Sequence, residues 1–258
     1  SGKDGDLAYG RRFWADEYRL NAMIANYEKP CIAFMQGFTM GGGVGIGCHG
    51  SHRIVCESSQ IAMPECAIGL VPDVGGSLLL AHAPGRLGEY LGLTGTRMNA
   101  GDALLCDFAD HFVPFADWER LKAELIDLGD PDAIEDFTVD APIPGVEELQ
   151  PAVERAFGHA SLAQCMAALE ASSEEWAGQA LKAIRRACPL SVACAFEIIR
   201  KARGFQSVEP ALELEYRFTS RSISHGEFLE GIRAQIIDKD RKPDWRVRRI
   251  EDVTAQMV

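Results

Sequence analysis

One glycine-dense stretch constrains this chain more than any other feature. Gln36-Gly37-Phe38-Thr39-Met40-Gly41-Gly42-Gly43-Val44-Gly45-Ile46-Gly47 follows directly on a short continuous apolar run, Cys31–Met35. The apolar run predicts a buried strand, and the glycines predict a tight turn that opens a short helix. Three consecutive residues without a Cβ, Gly41, Gly42 and Gly43, let a ligand approach the main chain closely. A helix starting there also directs unpaired N–H groups outward. Such donors suit a carbonyl oxygen that gains negative charge in a transition state. Close helix–strand packing uses glycines in the same way, and the turn alone leaves both uses open.

Inside this stretch Gly45-Ile46-Gly47-Cys48-His49-Gly50 spells G-x-G-x-x-G. In a dinucleotide-binding unit that pattern brings a pyrophosphate to a helix N-terminus. Here the next expected strand begins near Arg53, too soon for the crossover of about a dozen residues that joins parallel neighbours. The nucleotide reading is therefore set aside.

Around the turn, Leu7, Phe13, Trp14, Leu20 and Ile24 predict a helix over Asp6–Tyr27, ending before Lys29-Pro30. Arg53–Cys56 and Gln60–Ala62 read as strands, and Gly75–Ala83 and Gly88–Leu93 as helices. Asp127–Val146 is rich in Asp, Pro and Gly and reads as a loop. Beyond it the periodicity is helical: Val153–Ala156, Ser161–Leu169, Glu174–Ala187, Leu190–Lys201, Val208–Arg221 and Glu227–Ile237. The expected organisation is an α/β portion over residues 1–126, a linker over 127–148 and a helical region over 149–258.

Composition narrows the partners. The formal charge is −12 and the one basic block is Arg246–Arg249, a balance that repels nucleic-acid backbones. No apolar run reaches the ~18–20 residues of a bilayer span, so no membrane role is expected. A polyanionic ligand would need a local basic patch, which the sequence does not locate. The eight cysteines, Cys31, Cys48, Cys56, Cys66, Cys106, Cys165, Cys188 and Cys194, form no C-x-x-C pair and sit mostly in apolar runs. They read as reduced, buried residues, which points to a cytoplasmic compartment. Cys48, His49 and His52 match no common zinc spacing, and no metal is expected.

Two acids stand out in Ile61-Ala62-Met63-Pro64-Glu65-Cys66-Ala67-Ile68-Gly69-Leu70-Val71-Pro72-Asp73-Val74-Gly75-Gly76. Glu65 and Asp73 each follow a proline and have apolar flanks, so partial burial is expected to raise their pKa toward the range of proton transfer. Structural roles stand beside that one: Asp73 capping the helix that begins near Gly75, Glu65 pairing with an arginine such as Arg53. His111 reads as a packing or helix-end residue. Trp14, Trp118, Trp176 and Trp245 read as core or interface anchors, and the glutamates of the C-terminal helices as solvated faces.

Together, Gln36-Gly37, Met40 through Gly45, Met63-Pro64-Glu65 and Pro72 through Gly76 resemble the crotonase superfamily, and most nearly its 3-hydroxyisobutyryl-CoA hydrolase branch. Asp16-Glu17-Tyr18-Arg19-Leu20-Asn21, Leu93-Thr94-Gly95, Ala109 through Val113, Glu230 through Ala234, and Asp238-Lys239-Asp240 with Pro243 and Trp245 resemble the same branch. The resemblance implies a crotonase-like spiral of ββα units, with an N-terminal part upstream of Ser1, followed by helices that support a homo-oligomer (trimer, dimer or hexamer). It implies a thioester substrate whose carbonyl is polarised by two backbone N–H groups, one of them at Gly42. The other belongs to a Cys-Ala-Gly-Gly-Asp-like turn in the upstream part, which also helps to bind CoA. Glu65 and Asp73 correspond to the branch's substrate-site acids, and Glu17 is attributed to the same site, beside the flanking Gly41 and Gly43.

Two positions separate the branches. Hydratases resemble Gly-Gly-Gly-x-Glu where this chain has Gly45, and hydratases and many isomerases carry Gly where it has Asp73. Hydrolysis of an acyl-CoA thioester is therefore the expected activity, in valine catabolism, with no cofactor because CoA belongs to the substrate. An enoyl-CoA hydratase/isomerase and a catalytically silent crotonase-fold subunit are the alternatives. Cys66 stands where the branch usually has Thr, and Leu70-Val71 where an aromatic is common before Pro72.

Overall fold

The computed structural model describes residues 7–258. The first helix, α1, runs from Leu7 to Ala25, so the Asp6 start expected from the sequence lies outside the described residues. Its buried residues are Trp14, Tyr18 and Asn21, whereas Phe13 and Leu20 are exposed. The stripe that faces the protein is thus half polar, which the apolar spacing did not anticipate.

The chain then alternates between two small parallel sheets. Strands β1 (Ile32–Met35), β3 (His52–Val55) and β5 (His111–Phe112) form one sheet in the order β1-β3-β5. Strands β2 (Phe38–Met40) and β4 (Gln60–Ala62) form the other. Ile32 sits opposite His52, and Phe38 opposite Gln60. Between β2 and β3 lies the short helix α2, Gly42–Gly47. Each passage through both sheets moves the chain along one spiral axis, giving the ββα repeat.

This pairing corrects one argument made from the sequence. β1 and β3 are parallel neighbours, and residues 36–51 do provide the crossover, through β2 and α2. The nucleotide motif fails for another reason. Its first glycine, Gly45, lies inside α2 and Gly47 ends it, so these glycines are at the wrong end of the helix to present N–H groups to a phosphate.

A 3-10 turn, Glu65–Ile68, precedes α3 (Gly76–His82), α4 (Leu87–Thr94), α5 (Ala100–Leu105) and α6 (Trp118–Leu128). A further 3-10 segment covers Pro131–Phe137. Then follow α7 (Gln150–Phe157), α8 (Leu162–Ala171), α9 (Glu175–Arg186), α10 (Pro189–Ala202), α11 (Val208–Ser222) and α12 (Phe228–Ile232). Capping boxes start α5 at Asn99 with Asp102 and α8 at Ser161 with Gln164.

The main core takes residues from both sides of 127–148, among them Val44, Met63, Leu80, Leu91, Phe108, Phe157, Phe196 and Leu212. A second cluster, Ile54, Cys56, Val113, Trp118, Leu121, Ile134 and Phe137, fills the other side of the β1-β3-β5 sheet. The late helices reach back to the early turns: α12 packs on the Glu65–Ile68 turn, where a Cβ on Gly231 would collide with the backbone of Ile68. No described helix is long and apolar enough to cross a membrane.

Candidate active site

The glycine turn, the Glu65 turn and the Asp73 turn converge on the buried stripe of α1. Glu65 and Asp73 are each only 4% exposed. A Cβ at Gly41 would lie 3.0 Å from Glu65 Oε1, and one at Gly42 would lie 3.1 Å from Glu17 Oε1. The carboxylates of Glu65 and Glu17 thus hang over consecutive residues at the start of α2. Gly41 has φ +53°, a left-handed conformation that glycine adopts without strain, and this bend aims the following amides. The N–H groups of Gly42 and Gly43 precede any intrahelical acceptor and take no partner among the described residues; both glycines are exposed.

Asp73 is held from α1: Tyr18 donates its hydroxyl proton to Asp73 Oδ2 at 2.7 Å and lies 3.2 Å from Thr219 Oγ1. The turn that carries Asp73 is strained. Val74 has φ +54°, an uncommon conformation for a β-branched residue. Three outside groups hold this turn. Tyr18 takes the Asp73 side chain, His49 Nε2 lies 2.7 Å from the Val74 carbonyl, and Glu215 Oε2 accepts from the Gly75 N–H at 2.9 Å. Burial lowers the His49 pKa, so the neutral ring donates Nε2–H to that carbonyl.

Burial also tunes the acids. Loss of hydration, reinforced by the charge of Asp73, raises the Glu65 pKa well above the usual carboxylate range. Desolvation pushes Asp73 up to about 7, opposed by the Tyr18 hydrogen bond. Glu17, half-buried, is raised by desolvation as well. Glu65 Oε2 is buried without a hydrogen-bond partner, so no protein group competes there for a proton in transfer.

The structural roles suggested for the two acids are not the ones found. Arg53 binds Asp107 Oδ1 at 2.6 Å and Asp110 Oδ1 at 2.5 Å, not Glu65. The N-cap of α3 is Gly75, and the side chain that takes the amides there is Glu215, not Asp73. Cys48, His49 and His52 do not converge: Cys48 sulfur contacts Met35 sulfur, His49 turns to Val74, and His52 contacts Ser51. Arg246, Arg248 and Arg249 are matched with Glu227, Asp244 and Glu251, so the basic block forms no open patch. His111 lies in β5 beside Thr138.

The roles of three residues here were not read from the sequence, although Tyr18 and Asn21 stand in the segment around Glu17 that resembles the hydrolase branch. Tyr18 and Glu215 hold the Asp73 turn, as described. Asn21 is fully buried one turn beyond Glu17, and neither its amide nitrogen nor its oxygen finds a partner. An acid or amide on the buried stripe of a helix was the available signal in each of the last two cases. A cleft of 570 Å³ opens beside Glu17, lined by Tyr9, Arg12, Phe13, Asp16, Leu20 and Ile46.

Comparison with known proteins agrees with this geometry. Residues 1–258 match the enoyl-CoA hydratase/isomerase family. A probable 3-hydroxyisobutyryl-CoA hydrolase of Arabidopsis thaliana is 35% identical, over 98% of this chain and 71% of the relative. A mitochondrial 3-hydroxyisobutyryl-CoA hydrolase of Danio rerio is 34% identical, over 100% of this chain and 70% of the relative. The crystal structure of an enoyl-CoA hydratase from Rhodobacter sphaeroides 2.4.1 superposes with a TM-score of 0.94 at 52% identity, covering 99% of this chain and 74% of that one.

Proposed function

The chain belongs to the enoyl-CoA hydratase/isomerase family, and from that premise we propose that it hydrolyses an acyl-CoA thioester of the 3-hydroxyisobutyryl-CoA type, a step of valine catabolism. The observation that carries this reading is the burial of both acids, Glu65 and Asp73, together with a position 45 that carries no acid and is closely packed. A Cβ on Gly45 would lie 2.6 Å from Asn21 Nδ2 and 2.7 Å from Val74 Cβ. Water addition by two glutamates requires the second one there. The likeness to a structure described as a hydratase therefore supports the fold more than the reaction.

In the proposed reaction the thioester oxygen accepts from the Gly42 N–H, with Gly41 and Gly43 leaving room for the acyl carbon. Glu65 takes a proton from water as the water oxygen bonds to that carbon; direct attack by Glu65, giving a mixed anhydride that water then opens, is the variant of the same step. The C–S bond breaks, CoA leaves as thiolate, and the proton held by Glu65 neutralises it. The raised Glu65 pKa supports the proton transfer, since it makes the carboxylate a stronger base. Asp73, held by Tyr18, orients the substrate hydroxyl or the water, and Glu17 contacts the substrate from the cleft side. CoA enters as part of the substrate, and the scheme uses no separate cofactor and no metal. The eight free thiols suit a reducing compartment, of which the cytoplasm is one. Self-association belongs to the same proposal, supported by exposed Leu229, Ile236 and Ile237, which do not line the Glu17 cleft.

The test is thiol release from 3-hydroxyisobutyryl-CoA by the protein and by its Glu65→Gln variant. Loss of at least about 100-fold in kcat is expected from removing the group that moves the proton. Undiminished turnover by the variant refutes the role of Glu65.

A further inference from the structure

Glu215 is a buried acid that the proposed reaction does not use. It stands in the middle of α11, on the stripe with Val208, Ala211, Leu212, Thr219 and Ser222 that faces the core, and it is 0% exposed. Its carboxyl reaches out of the helical region into the turn before α3. Oε2 accepts the Gly75 N–H at 2.9 Å, and Oε1 accepts the Ser77 N–H at 3.1 Å and the Ser77 hydroxyl. One turn further along the same helix, Thr219 lies 3.2 Å from the Tyr18 hydroxyl that holds Asp73. A single helical face therefore holds the Asp73 loop directly through Glu215 and indirectly through Thr219, by way of Tyr18.

The strain explains why a grip is needed. Val74 at φ +54° sits between Asp73 and Gly75, and a β-branched residue leaves that conformation unless its neighbours fix it. Gly75, at φ +78°, is packed so closely that a Cβ there would lie 2.6 Å from His49 Nε2 and 2.7 Å from Val208 Cγ2. Removing an outside hydrogen bond at Gly75 lets the Val74 peptide relax, and the relaxation swings the Asp73 carboxyl away from Tyr18 and from the reacting atoms.

We propose that Glu215 is a positioning residue for the reaction, acting through the Gly75 and Ser77 amides to hold Asp73 in its working place. The proposal rests on the hydrolase reading for the reaction but on the hydrogen-bond geometry for the role. It makes the helical region part of the catalytic apparatus, since α11 carries no group that touches the acyl carbon in the proposed scheme.

The experiment uses Glu215→Gln, which keeps the volume. Whichever way the amide turns, its NH2 meets one of the two N–H donors, so one grip is lost. Steady-state thiol release from 3-hydroxyisobutyryl-CoA is measured well below the variant's melting temperature, on protein whose circular dichroism matches the parent. The expected result is kcat lower by about 10- to 100-fold, as for a small misplacement of a reacting group, with KM changed by less than about threefold. Hydrogen exchange at the Gly75 and Ser77 amides should accelerate, and the Thr219→Val variant should show a weaker kcat loss in the same direction. A variant with parental kcat and only a lowered melting temperature overturns the proposal, because a purely structural role predicts that. Should Glu215→Gln fail to fold, Ser77→Ala and Thr219→Val carry the test, and parental kcat in both overturns it. Absence of thiol release by the parent protein overturns the hydrolase reading instead; unchanged exchange at Gly75 in the variant then overturns the positioning role separately.

Discussion

Gly45→Ala is the sharpest structural test of the site, because two effects of known sign oppose each other there. In a helix interior, replacing Gly by Ala ordinarily stabilises by about 0.5–1 kcal/mol through the lost freedom of the unfolded chain. Gly45 lies in α2 without positive φ, so that gain is available. Against it, the new methyl would sit 2.6 Å from Asn21 Nδ2, 3.2 Å from Asn21 Cγ and 2.7 Å from Val74 Cβ. Asn21 is fully buried and Val74 is fixed in a strained turn, so neither moves freely. Overpacking of this kind costs about 1–3 kcal/mol, and it wins, leaving a net loss of about 1–2 kcal/mol. For a chain of this size that is a melting temperature lower by about 2–8 °C. Thermal unfolding followed by circular dichroism reads it. Adding Asn21→Ala should restore part of the loss, because it removes one of the two colliding groups while Val74 remains. An equal or higher melting temperature for Gly45→Ala would refute the packing, and with it the argument that this position has no space for a second acid.

Two further outcomes follow from the charges. Asp73 has a folded pKa of about 7 against an ordinary value near 4, so between those pH values the folded state holds a proton that the unfolded state has released. Stability therefore falls as pH rises from about 4 to about 7, and Asp73→Asn should flatten that decline in melting temperature measured across the range; an unchanged slope contradicts the buried, proton-holding Asp73. Arg53→Ala removes contacts at 2.6 Å to Asp107 and 2.5 Å to Asp110 that tie β3 to the loop before β5. It should destabilise the fold by about 2–3 kcal/mol in urea titration while thiol release per folded molecule stays within about twofold, whereas a loss of catalysis would indicate a link to Glu65 that the structure does not contain.

Much of this arrangement was legible in the sequence, for definite reasons. The glycine triplet and the Pro-Glu and Pro-Asp turns are local signals, since each depends on what a residue without Cβ, or one that follows proline, can do. Partial burial of Glu65 and Asp73 was expected from their apolar flanks, and the structure buries both almost completely. The strand Phe38–Met40 was hidden because three residues inside a glycine-dense stretch carry no alternation to read. Parallel pairing of β1 with β3 depends on a crossover built from a strand and a six-residue helix, shorter than the familiar helical connection. The partners of the acids were the hardest to foresee. Tyr18 and Asp73 are 55 residues apart, and Gly75 and Glu215 are 140 apart, distances over which no local pattern speaks. Glu215 in particular was counted among solvated glutamates, although it sits on the same α11 stripe as Ala211 and Leu212, where an acid is out of place without a buried partner.

Thioester cleavage rather than water addition is the central claim, and one comparison measures it. The protein is given 3-hydroxyisobutyryl-CoA with free thiol followed by a colorimetric reagent, and an enoyl-CoA of similar chain length with absorbance of the conjugated double bond followed alongside. The buried Glu65–Asp73 pair and the filled space at Gly45 predict rapid thiol release from the first and little or no loss of absorbance from the second. Loss of enoyl absorbance without thiol release would contradict the account.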